Sequence, residues 1–169
     1  RSLIVLLLLA AFLRPVLTKG TLAASTSPKG TRASVLIVDT SLSMSYSHQG
    51  ISPLARGTIA AETTLGQLGA SDLANVILAG AVPQAASPEP QQNRAALRRF
   101  LGETQATTAR ADIDGAIALA LEQFDALKGH DLELHFIADF QRSNWAAVDF
   151  SAIPETIKTV FVSVSADET

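Results

Sequence analysis

Three oxygen-bearing side chains stand at alternate positions directly after a short apolar run. They are Asp39, Ser41 and Ser43, and the run before them, residues 35–38, consists of valine, leucine and isoleucine. A run of this length and composition predicts a buried strand. One carboxylate and two hydroxyls on a single turn form the kind of oxygen set that binds hard divalent cations such as Mg²⁺. The sequence therefore predicts a cation site at the end of a strand.

A second acid, Asp139, follows another predicted strand, residues 132–138, which is largely apolar. Ligands of parallel sheets bind at the carboxyl ends of the strands, where the strand order reverses. We therefore expect Asp39 and Asp139 to lie on the same edge of one sheet. The alternative interpretation is that Asp39 and the two serines only cap their loop by hydrogen bonding to backbone N–H groups.

The rest of the chain supplies the elements that would position these side chains. Apolar patterning predicts strands over residues 35–38, 76–78, 132–138 and 159–164, and helices over residues 53–69, 95–101 and 113–127. The stretch 79–92 contains three prolines, which limits any strand there to a short one or to an edge. Alternation of strands and helices predicts an α/β fold with a mostly parallel sheet that helices flank on both faces.

Composition narrows the possible functions. The chain has 169 residues and a formal net charge of −3, and 47% of its residues are hydrophobic. This length accommodates one α/β domain with a small appendage. The mild negative charge argues against a nucleic-acid-binding surface, which needs clustered Lys and Arg. The absence of cysteine from the sequence excludes disulfides, zinc–thiolate sites and cysteine nucleophiles.

The N-terminal segment predicts a membrane anchor. Residues 3–13 are apolar and uncharged, but a spanning helix needs about 20 residues. Because the first residue is Arg1, we interpret residues 1–17 as the second half of a truncated transmembrane helix that ends at Arg14 and Pro15. A signal-peptide core is the alternative. Residues 18–32, rich in Thr, Ser, Ala and Gly, predict a linker, which leaves residues 33–169 for the domain.

The D-x-S-x-S pattern of residues 39–43 resembles the metal-ion-dependent adhesion site of von Willebrand factor A domains. The resemblance implies a Rossmann-like domain that binds Mg²⁺ or Mn²⁺ through Asp39, Ser41, Ser43 and Asp139. It also implies a non-enzymatic role, in which a protein partner supplies a carboxylate to the cation.

The family's second loop contributes a threonine, and here the sequence departs from the pattern. Ala111 stands at that position and has no oxygen in its side chain to offer. Thr107 or Thr108 could substitute for it, and Asp112 or Asp114 could also approach the ion. Asp112 could equally be no more than the N-cap of the following helix.

Three stretches together resemble the bacterial membrane-anchored aerotolerance (Bat) subgroup, which includes BatA-like proteins. They are the apolar run closing at residues 13–17, the motif at residues 38–44, and residues 137–145, which resemble an "SDxQRSxW" signature with Ala138 replacing the serine. The resemblance implies a bacterial inner-membrane protein with a periplasmic domain. It also implies an association with MoxR-type AAA+ ATPases.

Alternatives to this interpretation stay open. A metal-free scaffold of the same fold would follow if the missing threonine disables the site. A metal-dependent hydrolase is disfavoured because Ser41 stands where a phosphatase of the HAD type has its second acid, and there is no G-x-S-x-G motif. Trp145 beside Arg142 has the composition of an interaction hot spot, but it could instead pack over the end of the sheet.

Overall fold

The computed structural model describes residues 30–47 and 50–165. Its five-stranded sheet has the order β3-β2-β1-β4-β5. All neighbouring pairs are parallel except β2–β3. The strands are β1 (Arg32–Asp39), β2 (Leu73–Ala79), β3 (Gln84–Ala85), β4 (Asp131–Ala138) and β5 (Lys158–Ser163). The predicted mostly parallel sheet is therefore confirmed, and the proline-rich stretch contributes only the two-residue antiparallel edge strand β3.

The helices follow the predicted alternation, with one addition. They are α1 (Pro53–Gln67), α2 (Arg94–Gly102), α3 (Ile113–Asp125) and the short α4 (Arg142–Trp145). Short 3-10 turns lie at Leu42–Ser45 and Phe150–Ala152. Ser52 caps α1 by accepting a hydrogen bond from the Ala55 backbone N–H (3.1 Å), and Pro53 occupies the first turn, where a missing N–H costs nothing. The α4 helix had no counterpart among the predictions.

The sheet has an apolar core on each face. Leu36 and Val38 of β1 pack on the side of α1 and α2, whereas Val35 and Ile37 pack on the side of α3. All four side chains are fully buried. Because alternate residues of a strand point to opposite faces, a strand covered on both sides is apolar along most of its length. This explains why the run before Asp39 has no polar residue.

Two predicted helix ends differ slightly from the structure. The first helix was expected to end near Gly69 and ends at Gln67, with Leu68 as its C-cap residue. The third was expected to include Leu127 but ends at Asp125. Leu127 still packs against the core on that face, so its apolar character reflects burial beyond the helix rather than continued helical structure.

The predictions for the N-terminal region fall almost entirely outside the described residues. The transmembrane helix at residues 1–17 lies outside them, as does nearly all of the linker at residues 18–32. Among the residues that the structure does describe, none of the helices has the length and apolar character needed to span a membrane.

A buried carboxylate joins three strands, β1, β4 and β5, near their amino-terminal ends. Glu133 of β4 accepts hydrogen bonds from His135 (3.2 Å) and from Lys158 of β5 (2.8 Å), and lies 3.7 Å from Arg32 of β1. The hydrogen bond from His135 and the nearby cations outweigh burial and lower the pKa of Glu133 to about 2. The carboxylate therefore stabilises the fold when it is ionised.

This arrangement predicts a specific acid sensitivity. The ordinary pKa of Glu133, 4.5, is above its folded value, so the stabilisation is present above about pH 4.5 and is lost as the pH falls towards 2. Glu133→Gln is expected to lower the free energy of unfolding at pH 7 by about 2 kcal/mol, and the difference from wild type should shrink on acidification. Urea unfolding at several pH values measures this, with Glu62→Gln on the exposed face of α1 as the control. A pH-independent difference would contradict the assignment.

Candidate metal site

The two strand-end acids lie at the same edge of the sheet. Asp39 is the last residue of β1, and Asp139 directly follows β4. These strands are parallel neighbours with Val38 paired to Ile137. The chain leaves β1 for β2 on one side and later returns to β4 on the other, so the strand order reverses between β1 and β4. Ligands of open α/β sheets bind at such a position.

Asp39 is completely buried, and donors hold both of its oxygens. Its Oδ1 accepts a hydrogen bond from the Ser41 backbone N–H (2.8 Å), and its Oδ2 accepts one from the Trp145 indole N–H (3.0 Å). Burial raises the pKa of Asp39, and the charge of Asp139 adds to the rise, while the hydrogen bonds from Ser41 and Trp145 oppose it. A neighbouring cation would offset this unfavourable environment for a negative charge.

The two serine hydroxyls of the motif are adjacent. Ser41 Oγ and Ser43 Oγ are 3.1 Å apart, and both residues are buried. The Asn144 side-chain amide donates a hydrogen bond to Ser41 Oγ (2.9 Å). A hydroxyl oxygen has two lone pairs, so Ser41 can accept this hydrogen bond and still offer one lone pair to a cation.

Asp139 has one oxygen in use and one without a partner. Its Oδ1 accepts a hydrogen bond from the Gln141 backbone N–H (3.2 Å). Its Oδ2 is buried and has no hydrogen-bond partner in the described part of the chain. A buried carboxylate oxygen without a donor is costly. Of the four predicted ligands, Asp139 thus carries the clearest sign of a missing positive partner.

Residues 107–112, which correspond to the family's second loop, lie close to the turn that carries Ser41 but do not supply the absent threonine in an obvious way. The Thr107 hydroxyl donates to the Thr40 carbonyl oxygen (3.1 Å), so its hydrogen is already engaged. Thr108 is exposed and lines a groove together with Ser43. Asp112 caps α3 by accepting a hydrogen bond from the Gly115 N–H (2.9 Å), as the alternative interpretation of this residue expected. Asp114 accepts a hydrogen bond from the Asp149 backbone N–H (3.1 Å).

The residues present fit a hard cation whose ligands are mainly neutral oxygens. They provide two adjacent buried hydroxyls and an unpartnered buried carboxylate oxygen, with Asp39 next to them. Across residues 30–47 and 50–165, no group of three or more His, Asp or Glu side chains is arranged to hold a metal. Ser41, Ser43 and water would therefore have to supply much of the coordination shell, a ligand type that suits Mg²⁺ better than softer metals.

A groove of about 460 Å³ runs beside the 3-10 turn at Leu42–Ser45, which with its N-cap Ser41 is called the serine turn below. Leu42 and Tyr46 form its apolar side and are 43% and 65% exposed. Arg110 is the only charged residue in its lining; the other lining residues are Ser43, Thr108, Ala109, Gln141, Ser143 and Asn144. The groove therefore combines exposed apolar surface with a positive charge at the edge of the candidate site.

The structure decides between the two interpretations of Trp145. This residue is only 9% exposed, and its ring meets Phe140 and Phe136 edge-on, with centroid distances of 4.7 and 5.7 Å. It packs over the end of the sheet, so the exposed hot-spot interpretation is wrong for this side chain. Sequence reasoning missed Asn144 altogether. The only available signal was its place in the segment that directly follows Asp139.

Comparison with known proteins identifies the family. The von Willebrand factor type A domain profile matches residues 34–141, and the chain belongs to this family. Among curated proteins, none shows significant sequence similarity.

Solved structures share the fold at low sequence identity. BatB from Bacteroides thetaiotaomicron is 16% identical, with a TM-score of 0.67 over 82% of this chain and 73% of its own. A von Willebrand factor type A protein from Catenulispora acidiphila is 17% identical, with a TM-score of 0.64 over 78% of this chain and 33% of its own. An aerotolerance-related membrane protein from Bacteroides fragilis is 16% identical, with a TM-score of 0.62 over 78% of this chain and 67% of its own.

Proposed function

We propose that this von Willebrand A domain is a protein-interaction module that binds its partner through a divalent cation, Mg²⁺ or Mn²⁺. Asp139, Ser41 and Ser43 would hold the cation, and the fully buried Asp39 lies next to Ser41. The observation that supports the proposal most is the buried Oδ2 of Asp139, which has no hydrogen-bond partner in the described residues. Its carboxylate also lies close enough to Asp39 to raise the pKa of that residue.

When bound, the cation would supply a Lewis-acid centre that accepts an anionic oxygen. The residues of this chain would hold the cation and set its net charge. Ser41 and Ser43 are neutral ligands, so they leave most of the positive charge uncompensated. A carboxylate of the partner would then complete the shell. This role is one of binding rather than catalysis, and we propose it in place of a hydrolase.

The groove beside the serine turn supports an acidic partner. Arg110 is the one charged side chain in its lining, while Leu42 and Tyr46 offer exposed apolar contacts. Arginine and aromatic side chains are enriched at the energetic centres of protein interfaces. A partner segment with an acidic residue next to an apolar one would match both features.

The cellular setting is a proposal by analogy. Two of the similar structures are BatB and an aerotolerance-related membrane protein. Together with the Bat-like stretches of the sequence, this likeness supports residues 1–17 as a membrane anchor, residues 18–32 as a linker and residues 33–169 as the domain. We further propose a bacterial inner-membrane location with the domain in the periplasm, and work alongside a MoxR-type ATPase. Fractionation of cells that express the tagged chain tests the location. Recovery of the chain outside the membrane fraction would contradict it.

A metal-free scaffold in an envelope complex is the second candidate function. It is favoured by the fact that protein donors already hold Asp39 at both oxygens and Ser41 at its hydroxyl. Ala111 at the threonine position points the same way. In this case partner binding would be independent of the cation.

Selection of peptides from a random library against the Mg²⁺-loaded chain distinguishes the two functions. The selected peptides are expected to contain Asp or Glu and to dissociate on chelation. They should bind at least about tenfold more weakly to Arg110→Glu, because a charge-assisted contact becomes a repulsion. Arg98→Glu, on the exposed surface of α2, is the matched control. Peptides that bind equally well after chelation, and to Asp39→Ala and Asp139→Ala, would favour the scaffold and contradict cation-mediated binding.

A further inference from the structure

Two consecutive side chains of α4 reach the candidate metal site from the segment after β4. The Asn144 amide donates to Ser41 Oγ (2.9 Å), and the Trp145 indole N–H donates to Asp39 Oδ2 (3.0 Å). Their targets are two of the motif residues, more than 100 positions earlier in the chain. Neither Asn144 nor Trp145 belongs to the predicted ligand set.

Packing that is independent of the site fixes the indole in place. Trp145 meets Phe136 and Phe140 edge-on and stacks on Phe150 at 6.4 Å. Its backbone N–H donates to the Gln141 carbonyl oxygen (3.1 Å), which closes the single turn of α4. The aromatic cluster therefore holds the indole N–H in position, and the N–H in turn fixes the rotamer of Asp39.

Each of the two motif residues is thus held on two sides. Asp39 is held by its own turn, through the Ser41 backbone N–H (2.8 Å), and by Trp145. Ser41 contacts Ser43 Oγ (3.1 Å) within the turn and is held by Asn144 from α4. A short turn alone would leave the Ser41 hydroxyl free to rotate, whereas the Asn144 amide selects one orientation of its lone pairs.

We infer that Asn144 and Trp145 are positioning residues of the cation site, acting through Ser41 and Asp39 respectively. This inference rests on the proposed function, because it assigns to α4 the task of orienting the ligands. Groups that orient metal ligands typically affect metal affinity by 10- to 100-fold when removed. Neither residue is one of the proposed ligands.

Calorimetric Mg²⁺ titration of single variants tests the inference. Asn144→Ala and Trp145→Phe are each expected to weaken binding about tenfold. Trp145→Phe keeps an aromatic ring in the cluster and removes only the N–H donor and part of the volume. Ala147→Ser, exposed two residues beyond Trp145 and outside both the groove and the aromatic cluster, is the matched control and should stay within about twofold of wild type.

Because Trp145 is the only tryptophan, its indole gives a readout that a purely structural role would not change. In the metal-free chain, the single indole N–H resonance is expected to shift in Asp39→Ala and to stay in place in Ala147→Ser. On Mg²⁺ titration of the wild type, tryptophan fluorescence should change with the midpoint that calorimetry gives. Asn144→Ala should move that midpoint to higher Mg²⁺ concentration.

The outcomes separate this inference from the proposed function. Wild-type binding that persists unchanged in both Asn144→Ala and Trp145→Phe would overturn the positioning role alone. An indole N–H resonance that does not shift in Asp39→Ala would also overturn the positioning role, since it would show that the hydrogen bond between Trp145 and Asp39 is absent in solution. A wild-type chain that binds no Mg²⁺, yet has an Asp39-dependent indole resonance, would contradict the proposed function and with it the role of α4 in binding.

Discussion

Asp139→Asn is expected to abolish Mg²⁺ binding while leaving the metal-free chain folded and at least as stable as wild type. Asparagine keeps an oxygen to accept the hydrogen bond from the Gln141 N–H. It replaces the unpartnered Oδ2 with an N–H₂ group and removes the negative charge that raises the pKa of Asp39. The substitution therefore relieves repulsion in the metal-free site but removes its most available anionic ligand, and we expect affinity to fall about 100-fold or more.

Thermal unfolding with and without Mg²⁺ measures both effects. A ligand at 100 times its dissociation constant stabilises a folded protein by about 2.7 kcal/mol, which raises the midpoint of wild type by several degrees. The midpoint of Asp139→Asn should not respond to Mg²⁺. Asp125→Asn, exposed at the far end of α3, is the control and should respond like wild type. A full Mg²⁺ response in Asp139→Asn would contradict its role as a ligand.

Phe136→Ala is expected to lower the free energy of unfolding by about 3–5 kcal/mol, the usual range for truncating a buried aromatic side chain. Phe136 is completely buried in β4. Its ring stacks on Phe161 at 5.2 Å and meets Phe150 edge-on at 5.6 Å, in addition to Trp145. Alanine would leave a cavity among these three rings, and it would remove the support that holds the Trp145 indole towards Asp39.

Urea unfolding gives the size of this loss, and a milder variant keeps the prediction testable if Phe136→Ala does not fold. Phe136→Leu preserves most of the volume and should cost about 1–1.5 kcal/mol. Ile59 of α1 is 61% exposed, so Ile59→Ala is the control and should stay within about 0.5 kcal/mol of wild type. A loss below about 1 kcal/mol for Phe136→Ala would show that the aromatic cluster is not a close-packed part of the core.

Most of the fold follows from local patterns. The apolar run of β1 is buried on both faces, and this double burial is what its uninterrupted hydrophobicity indicated. Ser52 and Pro53 marked the start of α1 through cap chemistry that is local in sequence. The position of Asp39 and Asp139 at one edge of the sheet also followed from sequence, because parallel strands that alternate with helices must end on the same side.

The details of the candidate site could not be predicted in the same way. The hydrogen bonds of Asn144 to Ser41 and of Trp145 to Asp39 depend on how the chain turns from β4 into α4. A helix of four residues has almost no periodic signal in the sequence from which this turn could be predicted. Phe140, which begins that turn, has a φ of 53°, an uncommon backbone conformation for a residue other than glycine. Tertiary packing of the aromatic rings around it determines this geometry.

The departure at Ala111 has a physical consequence for the site. A hydroxyl missing from the shell must be replaced by water, by Thr108 from the edge of the groove, or by the partner. A site of this kind would hold its cation more weakly alone than with the partner's carboxylate in place. Cation and partner are thus expected to raise each other's affinity by the same factor.

Calorimetric titration of the wild-type chain with Mg²⁺ and then Mn²⁺, alongside Asp39→Ala, tests the central claim most directly. The account predicts saturable binding of one ion per chain by the wild type and its loss in Asp39→Ala, with the variant still folded by circular dichroism. A folded wild-type chain that shows no saturable binding at millimolar Mg²⁺ or Mn²⁺, or an Asp39→Ala variant that binds as wild type does, would contradict it.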